Sequence, residues 1–358
     1  MSDSMGNAVE VSLPSEAGVI VDLAPISTGG SAWLFLDDAG QIGKWDRSTA
    51  TVRHLATTTV PDESGREPWN GRVVRRRLHA SADGAFAAVV NDYGRFGEVL
   101  DLGAGGVTLT LDGGGYEEGT VPFSLVFAEH DGATVVVHRT NWNRLDVSHA
   151  GTGALVTARS STSTDSHMES EHGLDYFHGA LYLSPDGRRI LDDGWVWHPV
   201  GFPVVWRMDQ WLSVNPWESE DGQSRMGLCG REYYWDHPMV WIDETRVAVE
   251  GIGDDADDIR PGARLFDTTR SSQGGLWREE TAVETACIPG PSGRFFSDGV
   301  HLFSSGDDEL AAWDLATAAL VGVVRRFAPT HYNRHTGEFL QLSDENSVLV
   351  WAHPKTAS

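Results

Sequence analysis

The sequence predicts an all-β chain folded as a single seven-bladed β-propeller, with an N-terminal strand closing the ring. Three observations carry this. Short apolar runs alternate with Gly, Asp, Asn, Pro and Ser clusters along the chain, the grammar of strands and tight turns. An aromatic or aliphatic residue followed by Asp returns at intervals close to a four-stranded blade. The composition, with 40 Gly and 14 Trp in 358 residues, suits many turns and large residues packed between sheets better than long helices.

The turns come first. Residues 32–36 are apolar, Asp37-Asp38-Ala39-Gly40 turns the chain, 41–45 continue, and Asp46-Arg47-Ser48-Thr49 turns it again before 51–55. The same order recurs at Ser81-Ala82-Asp83-Gly84, Ser184-Pro185-Asp186-Gly187 and Gly290-Pro291-Ser292-Gly293, each followed by a strand pattern. In such turns Gly accepts a positive φ, and Asp or Ser bonds back to the backbone.

The longer repeat is marked by Trp45-Asp46, Leu100-Asp101, Leu145-Asp146, Phe266-Asp267 and Trp313-Asp314, with weaker copies at Trp206-Arg207 and Trp351-Ala352. Seven markers at a repeat of about 50 residues give seven four-stranded blades. The last blade runs out of chain after Trp351, so the alternating segment 9–13 is expected to pair with 347–352 and close the ring. Closure removes the exposed sheet edges that invite aggregation. The whole of 1–358 then reads as one domain, with enlarged insertions within 160–260.

Leu183-Ser184-Pro185-Asp186-Gly187, Ala312-Trp313-Asp314-Leu315-Ala316-Thr317 and Lys44-Trp45-Asp46-Arg47-Ser48-Thr49 resemble the WD40-type β-propeller. The Gly-His pair that opens a WD40 repeat is not regular here, so that family's buttressing residues do not transfer blade by blade. The stretches 193–201, 215–222 and 253–262 are similar to a bacterial group of WD40-like proteins without assigned activity. The resemblance implies a fold and leaves function open.

Charge excludes some functions. Against 27 Lys and Arg stand 52 Asp and Glu, a net charge of −25. Nucleic-acid binding needs a basic stripe to neutralise phosphates. The one compact basic run, Arg72 with Arg75, Arg76 and Arg77, reads as a solvated strand edge. Neither nucleic acid nor a membrane is an expected partner. No apolar run reaches the roughly 18 residues of a transmembrane helix, and residues 1–7 lack the pattern of a secretory signal. Cys229 and Cys287 are too few for a disulfide framework and read as small buried side chains in a reducing compartment. A cytoplasmic monomer is expected.

Residues 160–260 depart from the repeat. The polar run 160–166 reads as a loop. Seven of the 14 Trp fall between 195 and 241. Trp195 and Trp197 either pack between blades or line a binding surface, and Trp217, inside a polar loop, carries the same choice. His167, His172, His178, His198 and His237 gather in the same region. His167 and His172 lack the His-Glu-x-x-His spacing that places two imidazoles on one helical face. His178 precedes a strand that can reach the channel. Asp254 and Asp255, with Asp257 and Asp258, form an acidic loop without EF-hand spacing.

No phosphate loop, nucleophile elbow or dinucleotide fingerprint occurs. No catalytic residue, cofactor or metal ligand is assigned. The binding candidates are His178, Trp195, Trp197, His198, Trp217, His237, Asp254 and Asp255. The expected function is a non-enzymatic scaffold for a protein or peptide partner, displayed on a Trp-, His- and acid-rich face. The alternatives are a hydrolase or lyase using His178, His198 or His237 at the channel mouth, and a binder of a small ligand or cation.

Overall fold

The computed structural model describes residues 3–27, 30–66, 72–157, 172–273, 280–343 and 347–353. Their architecture is all-β, built from successive antiparallel meanders. The first runs Ile20–Pro25, Ala32–Asp37, Gln41–Asp46, Thr51–Thr57; the second Arg75–Ala80, Phe86–Asp92, Phe96–Asp101, Gly106–Asp112. The third has Leu125–His130, Ala133–Asn141 and Arg144–His149, with only a Ser148–Leu155 bridge where a fourth strand would lie.

A ten-stranded sheet follows, and it divides naturally in two. Phe177–Leu183, Arg189–Val196, Val204–Arg207 and Met226–Gly227 form one meander. Met239–Trp241, Arg246–Ile252, Arg260–Gln273 and Glu280–Pro289 form the next. The remaining two strands, Val200–Gly201 and Arg231–Glu232, extend the first meander, and parallel pairs of Gly227 with Thr281 and of Glu232 with Asp255 join the two halves. Next come Arg294–Ser297, His301–Gly306, Glu309–Asp314 and Leu320–Arg325, flanked in parallel by Asp3–Ser4. Last are His331–Asn333, Glu338–Leu342 and Ser347–Ala352. The chain start completes this sheet: Val9–Ser12 pairs antiparallel with Ser347–Ala352, as the sequence predicts.

Every Trp-Asp-type marker lies on the third strand of its meander. Its purpose is visible in the hydrogen bonds. Asp46, Asp101 and Asp314 each accept backbone N–H groups two or three residues on, at 2.7–3.1 Å, and so fold the turn into the fourth strand, while Asp267 accepts Thr269 N at 2.9 Å where the ladder of Arg260–Gln273 shifts register. The Ser-x-Asp-Gly turns form a second set. Asp83 and Asp186 each accept a Ser hydroxyl, at 2.7 and 2.6 Å, between first and second strands. Gly290 to Gly293 differs: it joins Glu280–Pro289 to Arg294–Ser297, which belong to different meanders.

First strands of neighbouring meanders lie against each other. Ile20–Pro25 contacts Arg75–Ala80, which contacts Leu125–His130; that strand contacts Phe177–Leu183, then Met239–Trp241, then Arg294–Ser297. His331–Asn333 lies against Ile20–Pro25, and Phe296 meets Tyr332 at 5.7 Å between ring centres. Apolar side chains fill the spaces between meanders. Leu34, Leu36 and Ile42 of the first pack with Leu78, Val89 and Leu100 of the second. Leu13, Leu23, Trp33 and Phe35 pack with Leu340, Val348 and Val350.

The insertion after Val204–Arg207 is not the open polar loop that its sequence suggests. It holds two short helices, α1 (Met208–Ser213) and α2 (Glu218–Asp221). Glu218, Ser219 and Glu220 are buried. The Glu218 carboxylate accepts Ser224 N at 2.7 Å and Asn215 Nδ2 at 3.2 Å, so the acid satisfies the loop from within. Cys229 is buried and Cys287 is exposed, both free, which corrects the expectation of two buried thiols. No described helix is long and apolar enough to cross a membrane.

Candidate functional site

Where the first strands meet, they enclose an open cavity of about 620 Å³. The strand Arg75–Ala80 supplies its most distinctive wall. Successive side chains of a strand point to opposite faces, so Arg75, Arg77 and His79 line the cavity while Leu78 enters the core and buried Arg76 donates to Asp38 O at 2.5 Å. The strand does lie at the edge of its sheet, as expected for this arginine run, and Arg75 is exposed, but Arg76 is buried and Arg77 half-buried, so the run is only partly solvated.

Four guanidiniums line the cavity, from Arg72, Arg75, Arg77 and Arg294, against two carboxylates, Asp92 and Asp236. Arg77 donates to Asp92 at 3.1 Å, and Arg75 stands 3.9 Å from the same oxygen. Arg72 pairs with Asp236, which also accepts the Tyr93 hydroxyl at 2.6 Å. Arg294 forms no ion pair among the described residues; burial and the nearby Arg75 and Arg77 charges lower its pKa. His79 is pushed down to about 4 by burial and by Arg77, and its Nε2 is buried without a hydrogen-bond partner. A strongly acidic protein thus carries a cation-rich cavity.

The mouth is built by loops between meanders. Burial raises the Asp236 pKa to about 6 against the pull of Arg72 and Tyr93. Burial, Arg231 and Arg72 push His237 down to about 3. Burial also raises Asp193 well above the carboxylate range; its Oδ2 accepts His237 N at 3.1 Å.

Beside the mouth stands an aromatic ladder. Phe177 stacks on Trp195 at 4.4 Å, and Trp195 on Trp235 at 4.8 Å. Trp142 and Tyr116 continue it on the Phe177 side, at 4.5 and 5.9 Å. Trp197 meets Trp195 edge-on at 4.9 Å. The middle of the ladder is buried, but Tyr116 is 50% exposed and Trp197 43%. Trp235 directly precedes Asp236 and His237, so the ladder ends at the cavity rim.

The sequence candidates scatter around this arrangement. Trp195 and Trp197 belong to the ladder, and His237 lines the cavity. His178 is fully buried and does not line it; Ala180 and Tyr182 of the same strand do. His178 Nδ1 lies 2.6 Å from Asp192 Oδ2, a buried pair that pins two strands together. His198 is exposed at a positive φ of 140° in the turn after Trp197. Trp217 stacks on His172 at 4.4 Å, away from the ladder. Asp254 pairs with Arg264 at 2.7 Å, and Asp255 accepts Asp257 N at 3.0 Å. Asp254 and Asp255 thus have partners within the protein, while Asp257 and Asp258 are exposed. His167 and the run 160–166 lie outside the described residues. Sequence reasoning missed the cavity arginines. Their spacing at alternate positions was the available signal, but it needed the strand's place between two others to be read. The chain matches no family model and no curated protein.

Proposed function

We propose that the chain is a closed seven-bladed propeller of the WD40-like kind and works as a non-enzymatic recognition module. Its cavity-bearing end takes a protein or peptide partner. The ring reading is supported by first strands in side-by-side contact and by an N-terminal strand that completes the last sheet. The recognition reading rests on one observation: an aromatic ladder, exposed at Tyr116 and at the Trp197 branch, runs through buried Trp235 to the rim of a cation-rich cavity. Large amphipathic aromatics at a surface are the residues that supply most binding energy at interfaces. Arginines beneath them favour a carboxylate on the partner. The partner is therefore a peptide segment with an apolar residue beside an acidic one.

A catalytic site on His178, His198 and His237 has less support, because these three imidazoles do not converge. The small-ligand reading keeps one supporting feature, the cavity itself.

Selection of a random peptide library on the immobilised full chain tests the proposal. Enrichment of apolar-acidic motifs is expected, with binding reduced ~10-fold or more by Trp197→Ala and by Arg294→Gln. Absence of any enriched motif, or binding unaffected by both substitutions, would overturn it.

A further inference from the structure

At the other end of the molecule, first-to-second-strand turns meet: Ser27 N donates to Ala82 O at 2.7 Å, and Asn333 Nδ2 to Ile26 O at 3.1 Å. The turn of the sixth meander, between Arg294–Ser297 and His301–Gly306, carries Asp298 and His301. The third strand of the last meander, Ser347–Ala352, ends beside it, with His353 immediately after. From these residues we infer a site for a divalent transition-metal ion of the zinc class, held by Asp298, His301 and His353.

The geometry carries the inference. One donor atom from each residue lies within 4.8 Å of the other two. His301 Nδ1 stands 3.1 Å and His353 Nε2 3.7 Å from Asp298 Oδ2. Donors bound at about 2.0–2.1 Å in a tetrahedron stand ~3.4 Å apart, so these separations bracket the required value. Two imidazoles and one carboxylate are the donor set of open zinc sites, with further positions left to water.

His353 adds an independent reason. Its ring is mostly buried against Phe303, Trp351 and His301. Its Nδ1 has no hydrogen-bond partner, and 3.7 Å from Nε2 to Asp298 is too long for one. Nε2 thus has no hydrogen-bond partner among the described residues and stands near the same carboxylate oxygen as His301 Nδ1, where a metal would take both imidazoles. Asp298 is held in place by its own turn: Oδ1 accepts the N–H groups of Val300 and His301 at 2.9 and 2.7 Å, which leaves Oδ2 facing the two imidazoles. The ion would tie together two meanders adjoining the chain termini, and it does not depend on the recognition reading of the opposite end.

Calorimetric titration of the metal-free full chain with Zn²⁺ tests the site, with Co²⁺ as a spectroscopic probe. One ion per chain is expected, with a raised melting temperature and visible Co²⁺ bands of low coordination number. Asp298→Asn is a poor single test, because Asp298 also holds its turn. His353→Gln is the deciding variant: its metal-free melting temperature should stay near that of the parent, while Zn²⁺ affinity falls ~10-fold or more. Asp254→Asn should leave affinity unchanged. No heat and no melting shift with Zn²⁺, or binding that survives His353→Gln intact, would overturn the assignment.

Discussion

Val9 lies directly opposite Val350 in an antiparallel ladder that continues through Val11 and Val348 to Ser12 and Ser347. The two ends of the chain are thereby paired in one sheet. Strand pairing between such distant segments must close the largest loop in the molecule, and it covers an edge that would otherwise template aggregation.

Removing residues 1–14 should therefore lower stability well beyond a surface trim. Leu13 alone is 7% exposed and packs with Leu340 and Val348, so Leu13→Ala should cost about 2–4 kcal/mol in denaturant unfolding. An unchanged melting temperature in the truncated chain would count against closure by this strand.

Asp22 and His331 form a second tie between the first and last meanders, at 2.9 Å. Burial opposes ionisation of Asp22, but the His331 hydrogen bond, the His331 and Arg77 charges and Leu78 N–H hold its pKa down at about 2, from 3.8. A depressed carboxyl contributes stability that is present above its unfolded pKa and lost as pH falls through the folded one. The contribution, about 2 kcal/mol, should disappear between pH 4 and pH 2. Asp22→Asn should unfold more easily at pH 6 and show a flatter acid limb in a chemical-denaturation series.

Trp195 and Trp197 should part company on substitution. Trp195 is 1% exposed within the ladder, so Trp195→Ala should cost about 3–5 kcal/mol. Trp197→Ala removes a 43% exposed ring and should leave the melting temperature within a few degrees while reducing partner binding. Equal stability losses in the two variants would remove the distinction between support and surface.

Gly179 should tolerate nothing larger. A Cβ there would stand 1.9 Å from Asp193 O, and its N–H donates to Asp192 at 2.9 Å beside the His178 pair. Gly179→Ala should destabilise by more than about 3 kcal/mol, because backbone must move. Wild-type unfolding behaviour would show that this close approach is not required.

Much of this arrangement is legible in the chain. The third-strand Asp is readable because its role is local: it accepts from residues two and three positions on, so the pattern and its cause sit in the same few residues. The Ser-x-Asp-Gly turns are readable for the same reason. The Gly290 to Gly293 stretch is a near miss, since similar turn chemistry serves a different junction. The helix around Glu218 was not legible, because its partner Ser224 is not marked as a partner by spacing, and the pairing of Asp254 with Arg264 was hidden for the same reason.

By itself the sequence determined the all-β class, the third-strand turns and the pairing of residues 9–12 with the last sheet, since strand period and turn chemistry are written in adjacent residues. Only the tertiary structure decided that Arg75, Arg77 and Arg294 share one cavity, that Trp235 joins the ladder to its rim, and that His353 arrives beside Asp298. These convergences depend on how separate meanders lie against one another. Long-range placement of that kind follows from packing across the whole molecule, and no local run of residues encodes it.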